Sequence, residues 1–256
     1  MQTFFLGVLI IGATVALSHL GLVIVHGHFP PSVRRANHEV GGYFIGLLGI
    51  VYAVLLAFVV VVVWQQFQDA AADVEREGND LVSIFQIGTA LPEPTAGRVR
   101  DGARTYAHVV IDEEWPEMAA GRSSVRAAHA MDELWLALVT FDPGGQRENS
   151  LYAEGLRRLD DLNDGRRARL VANQSSLPGT MWGLLIGGGL ITVVFTYFFS
   201  APSLRAQAAM TMLYAASLAF VIFLIVLLDY PFRGDLRVQP NSFELALVAF
   251  ERLAGR

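Results

Sequence analysis

The chain has 256 residues, 53% of them hydrophobic and only 17% charged, with a net charge of −5. A charged fraction well below the roughly 25% of soluble domains argues against an ordinary cytosolic globule, and the acidic balance argues against a nucleic-acid partner, because neutralising phosphate takes a basic surface. There is no cysteine, which excludes disulfides, zinc thiolates, iron–sulfur clusters and thiol catalysis.

Four apolar segments divide the chain. The first runs from Phe4 to Val25, with Thr14, Ser18 and His19 as its clearly polar members. The second runs from Gly41 to Trp64, the third from Met181 to Phe199 and the fourth from Ala208 to Leu228. None contains Asp, Glu, Arg or Lys, and each matches the roughly 20 helical residues that cross a bilayer core. A buried helix of a soluble protein is shorter and keeps a polar stripe. Four transmembrane helices are therefore expected. Only Met1-Gln2-Thr3 precede the first run, with no basic residue among them, so it reads as a retained span rather than a signal peptide.

Arginine placement orients the spans. With both termini and the central region inside, the inner side carries Arg76, Arg166, Arg167, Arg169, Arg233 and Arg237. The outer side then carries Arg34, Arg35 and Arg205. This predicts a multi-pass protein of a bacterial inner membrane, divided into residues 1–66 (first two spans), 67–178 (a cytoplasmic insert), 179–229 (last two spans) and 230–256 (a cytoplasmic tail).

The insert is helical by its spacing. Val99, Ala103, Tyr106 and Val110 form one stripe, Leu134, Trp135, Leu138 and Phe141 a second, and Leu151, Gly155, Leu159 and Leu162 a third. Breakers lie at Pro92-Glu93-Pro94, from Pro116 to Gly121, and at Asp142-Pro143-Gly144-Gly145. Helices are expected near 67–90, 95–115, 123–141 and 147–175, with a short one at 243–253 whose Phe243, Leu247 and Phe250 share a face. Nothing between Trp64 and Asp80 breaks a helix, so the second span should run on into the insert for about 60 Å between 41 and 80. The fold class is an all-α membrane protein with four spans and a helical insert.

Asn37-His38-Glu39-Val40-Gly41 and the run from Gly49 through Val59-Val60-Val61-Val62-Val63-Trp64 resemble the bacterial bestrophin-like family. So do Val74-Glu75-Arg76-Glu77-Gly78-Asn79 and Tyr230-Pro231-Phe232-Arg233-Gly234-Asp235. The resemblance covers nearly the whole chain. It implies kinship with bestrophins, which are pentameric ion channels of four spans per subunit. No bestrophin pore, selectivity or calcium-site residue transfers position by position.

The second span has two faces. Gly42, Gly46, Gly49, Ala53 and Ala57 stack on one side, and Gly183 and Gly187 of the third span offer a matching surface, either for close helix packing or as a pore wall opened by small side chains. The other side reads Leu48, Val51, Leu55, Phe58, Val62 and Gln66, continuing into Asp69, Asp73, Glu77 and Asp80. Two uses are open for this face: a hydrophobic constriction leading to a cation-attracting acidic vestibule, or a lipid-facing surface followed by solvated carboxylates.

His26, His28, His38 and Glu39 surround the first loop, yet their spacing specifies no metal site, and none is expected. An Asp229–Arg233 pair is expected at the exit of the fourth span, beside Pro231. Asp112-Glu113-Glu114 and Asp160-Asp161-Asp164 lack calcium-loop spacing, and Arg157, Arg158, Arg166, Arg167 and Arg169 interleave with the second cluster, which suits helix-surface salt bridges. No cofactor motif or enzymatic signature is present. Two functions follow: a homo-oligomeric ion channel in the lipid bilayer (pentameric by analogy, its permeant ion left open), or a non-conducting sensor or scaffold whose insert recruits a partner.

Overall fold

Backbone polar groups that cross a bilayer must satisfy one another, and a single-chain helix does this without a partner. The computed structural model describes residues 2–28, 38–198 and 203–255, with every side chain among them except those of residues 2, 4 and 38–41. Arg34 and Arg35, and the side chains of His38 and Glu39, thus lie outside the described residues. In chain order the helices are α1 (Gln2–His28), α2 (His38–Ala90) and α3 (Thr95–Val109). A π-helical turn (Val110–Glu114) leads into α4 (Trp115–Ala119), α5 (Val125–Val139) and α6 (Gln146–Gln174). The last three are α7 (Gly179–Thr196), α8 (Leu204–Leu228) and α9 (Asn241–Ala254). No strand occurs among the described residues. Four helices are long and apolar enough to cross a membrane, within Phe5–His28, Gly42–Ala90, Gln146–Thr196 and Leu204–Leu228. This is an all-α membrane protein.

The chain forms two units, the first made of Met1–Gln65 and Ser176–Asp229. In it α1 lies along α8, and both touch α7. Leu22, Val193, Tyr197, Ala208 and Ala215 form their shared core. Glycines set the closest approaches: a Cβ on Gly7 would lie 2.6 Å from the Phe223 ring, and one on Gly21 2.7 Å from the Tyr197 hydroxyl. Tyr52 ties α2 to α7 by donating its hydroxyl proton to the Leu185 carbonyl at 2.5 Å. Its ring lies so near Gly188 that a Cβ there would sit 2.6 Å away. Thr14, Thr192 and Thr196 return their hydroxyls to carbonyls of their own helices, so these three donors are not stranded in hydrocarbon.

The second unit comprises Gln66–Ser175 and Tyr230–Arg256. Its core draws on every helix of the unit, from Ala70, Val74, Leu81 and Phe85 of α2 to Phe243 and Phe250 of α9. Phe250 stacks on Phe85 with ring centroids 4.2 Å apart, and Trp115 meets Phe232 and Phe243 edge-on at 5.8 Å. Residues 110–119 depart from a simple break at Pro116. Proline removes one N–H and crowds the carbonyl four residues back; the wider turn before it, closed by the Trp115 N–H on the Val110 carbonyl, accommodates this. Helix continues until Gly121, whose φ of 77° supplies the left-handed stop. Ser124 then opens α5 by accepting the Ala127 N–H at 3.2 Å.

Gly188→Val should overpack the α2–α7 contact and cost about 1–3 kcal/mol, whereas Gly183→Ala, with nothing within 4 Å of its Cβ, should be neutral. Thermal denaturation of the two variants in one detergent distinguishes them. Equal melting temperatures would contradict the packing described.

Candidate functional site

Along its apolar stretch, α2 has one side packed and one side open. Tyr52, Leu56, Val59 and Val63 are 4%, 5%, 2% and 0% exposed and pack within the first unit. Val51, Phe58 and Val62 are 61%, 68% and 45% exposed, with Leu48 and Leu55 half-buried between the two sides and Gln66 exposed. Five consecutive valines cannot all be buried on one cylinder, and helical rotation alone sorts them into these sides. The glycine stripe is also open: no atom comes within 4 Å of a Cβ placed on Gly42, Gly46, Gly49, Gly183 or Gly187. Ala53 and Ala57 are exposed too. Within one chain, close α2–α7 contact is made at Gly188 and Gly189, against Tyr52.

The acidic row below does not behave as one face. Asp69 is exposed, and Asp73 is half-buried and accepts from Arg76 at 2.7 Å. Asp80 is half-buried and paired with Arg158 of α6 at 2.9 Å. Glu77 is wholly buried. The reason is its place in a seam: Ala70, Val74, Glu77, Leu81 and Ile84 alternate steps of four and three, the spacing of helices that pack along their length. All five are 0–1% exposed.

The facing helix is α6, which runs antiparallel to this half of α2. Gly155 lies against Ile87, Gly165 against Glu77, and Arg158 reaches Asp80. Its own seam, Gly155, Leu159, Leu162, Arg166, Arg169 and Asn173, has the same alternating steps and turns from apolar to charged. Arg169 is wholly buried. Its Nε donates to Glu77 Oε2 at 2.6 Å and its Nη2 to Glu77 Oε1 at 2.8 Å, a two-pronged pair. Nη2 also donates to Glu114 Oε2 at 2.8 Å. Arg166, 13% exposed, closes the group on Glu114 Oε1 at 2.6 Å. Tyr106 of α3 donates its hydroxyl proton to Glu77 at 2.6 Å, and the guanidinium of Arg169 sits 5.1 Å from the Trp115 ring centroid.

Two carboxylates and two guanidiniums give this cluster zero net charge, which is what allows it to be buried. Burial opposes the charge on Arg169, but Glu77 and Glu114 overcome this and hold its proton more tightly than usual. Burial, then the neighbouring Glu77 charge, push the Tyr106 hydroxyl well above its ordinary range, so it remains a donor. The arrangement offers no nucleophile and no open coordination position. What it can do is fix three helices against one another.

The sequence placed Arg166 and Arg169 in surface salt bridges with the cluster of Asp160, Asp161 and Asp164. The structure corrects this: the π-helical turn rotates Glu114 inward, where both arginines reach it. Surface pairing does hold for Arg167 with Asp164 at 3.5 Å and for Arg157 with Glu154. Asp229 and Arg233 take separate partners. Asp229 accepts the Leu177 N–H at 2.7 Å, whereas Arg233 donates to the Asn173 carbonyl at 3.3 Å. Among the described residues no group of three or more His, Asp or Glu side chains could hold a metal.

A family model described as the bestrophin-like domain matches residues 12–243. The chain belongs to the bestrophin-like family. Solved structures share the fold of this bestrophin-like protein. A mutant bestrophin homologue from Klebsiella pneumoniae aligns with a TM-score of 0.71 at 15% identity, over 96% of this chain and 97% of that one. A second structure of the Klebsiella pneumoniae homologue, solved by zinc phasing, gives 0.68 at 14% identity, over 95% and 98%. No curated protein sequence matches significantly.

Arg169→Met should strand Glu77 in the core of this bestrophin-like chain and destabilise the second unit by about 3–5 kcal/mol. Its stability should then rise as pH falls, because the folded variant gains by binding a proton that the unfolded chain does not need. Melting curves at several pH values check both effects. A pH-independent loss would mean that Glu77 is not left charged and unpaired.

Proposed function

We propose that the protein is a homo-oligomeric ion channel of a bacterial inner membrane, pentameric by analogy with bestrophins, with α2 lining the conduction path. Both termini and the second unit lie on the cytoplasmic side in this reading. The observation that carries it is the open side of α2. Val51, Phe58 and Val62 present large apolar side chains that the chain's own helices leave uncovered, half-buried Leu48 and Leu55 flank them, and exposed Gln66 and Asp69 follow.

Repeated around an axis, such a face forms a hydrophobic constriction that gates by dewetting. Asp69 and Asp73 then supply a carboxylate ring below it, which attracts cations and repels anions. Glu77 and Asp80 belong to pairs with Arg169 and Arg158 of α6, and Asp73 pairs with the exposed Arg76 of its own helix, so the vestibule rests chiefly on Asp69, with Asp73 partly neutralised. The open glycine stripe leaves room for a helix of a neighbouring copy to approach α2 closely.

Purified protein in planar bilayers under a salt gradient tests this reading. A reproducible current with a cation-side reversal potential is expected, and Asp69→Asn with Asp73→Asn should move that potential towards zero. Leu55→Ser with Val62→Ser should increase open probability by wetting the constriction. Silence from folded, inserted oligomers, persisting in the serine variant, would contradict conduction and leave the non-conducting sensor or scaffold.

A further inference from the structure

We propose that the buried Glu77–Arg169–Glu114 cluster is a register lock, which fixes the rotation of the lower half of α2 and thereby the direction in which Asp73 and Asp69 point. The lock stands on packing alone; its consequence for ions rests on the channel reading.

The seams of α2 and α6 are otherwise permissive. Ala70, Val74, Leu81 and Ile84 on α2 and Gly155, Leu159 and Leu162 on α6 are small or aliphatic, and aliphatic contacts of this kind discriminate poorly between neighbouring registers. The charged members change that, Glu77 in the α2 seam and Arg166 with Arg169 in the α6 seam. A slip or rotation that withdraws Glu77 from Arg169 leaves a buried carboxylate without its guanidinium and Arg169 with Glu114 alone, which is far more costly than an aliphatic mismatch. A polar residue at a single seam position is the best-attested device for specifying register between helices.

The geometry is tight on every side of Glu77. Arg169 holds both its oxygens, Tyr106 adds a third hydrogen bond, and a Cβ on Gly165 of α6 would lie 3.3 Å from Glu77 Cβ. On the next residue, a Cβ on Gly78 would meet Ser242 of α9 at 2.6 Å. Asp73 is one turn above Glu77 and Asp69 two turns above, each step turning the helix by about 40°. The row therefore winds outward, from buried Glu77 to half-buried Asp73 to exposed Asp69. Glu77 is the fixed end of that row, so Glu77, Arg169 and Glu114 are positioning residues that never meet the ion.

Because the chain has no cysteine, single cysteines report rotation cleanly. Cysteines introduced one at a time at residues 69–76 are labelled with a membrane-impermeant thiol reagent on the full-length protein in detergent. In the native background, Asp69→Cys and Glu75→Cys should label quickly, and Ala70→Cys and Val74→Cys should be protected. The second background is Glu77→Leu with Arg169→Met and Tyr106→Phe, an apolar replacement expected to leave stability unchanged or raised. There the protection at 70 and 74 should be lost, although the melting temperature is maintained.

The same apolar background should move the reversal potential in the direction of the Asp69→Asn and Asp73→Asn variants, without removing either aspartate. An unchanged labelling pattern would overturn the lock and leave the cluster a purely structural element. If the apolar background does not fold, Glu77→Gln carries the comparison, with protection at 74 reduced if the lock is right and retained if it is wrong. Should the two asparagine variants leave the reversal potential unmoved, the vestibule falls, while the labelling pattern still decides the lock.

Discussion

A guanidinium with no access to water must find all of its compensation inside the protein. Arg169 finds it in Glu77 and Glu114, and the arrangement of the second unit follows from that requirement. Glu77 must face inward from α2, Glu114 must be turned inward by a π-helical step ahead of Pro116, and α6 must run close enough for both to be reached. Gly165 allows that approach, since a Cβ there would press on Glu77, and Gly155 lets α6 lie close to Leu138 of α5. Trp115 and Phe243 cover the guanidinium from the side, which ties α9 into the same group. Removing a single member exposes the cost of the others, whereas the cluster as a whole contributes specificity more than stability.

The first unit obeys a different constraint. Lipid tails are as apolar as the side chains, so helix association depends on close packing and on hydroxyl groups finding acceptors. Tyr52 meets both needs at once, with its ring against Gly188 and its hydroxyl on the Leu185 carbonyl. Gln207 likewise donates to the last carbonyls of α7 at 3.3–3.4 Å. These few contacts use little of the surface of α2, and the uncovered remainder is the material from which an assembly would be built.

The four spans and the all-helical fold were legible because charge-free runs of this length have few other solutions. The resemblance was legible in local strings such as Tyr230-Pro231-Phe232-Arg233-Gly234-Asp235, and the family match bears it out. The buried cluster was not. Counting only apolar residues ends the α6 stripe at Leu162 and assigns Glu77 to a row of carboxylates. Following the alternating steps through charged positions would have continued one seam to Arg166 and Arg169 and kept Glu77 in the other. The inward turn of Glu114 depends on an extra residue per turn at 110–114, and Pro116 two residues later was its only signal. The glycines show a related limit: Gly183 and Gly187 look the same in sequence as Gly188 and Gly189, and only the position of Tyr52 separates them.

The functional proposal places the exposed side of α2 around an axis, and the structure of the assembled protein in lipid nanodiscs tests that most directly. A closed ring is predicted, with Val51, Phe58 and Val62 of every copy facing a continuous axial void and Asp69 below them. A ring with α2 at its lipid-facing periphery, or with its axis filled by side chains, would contradict the account.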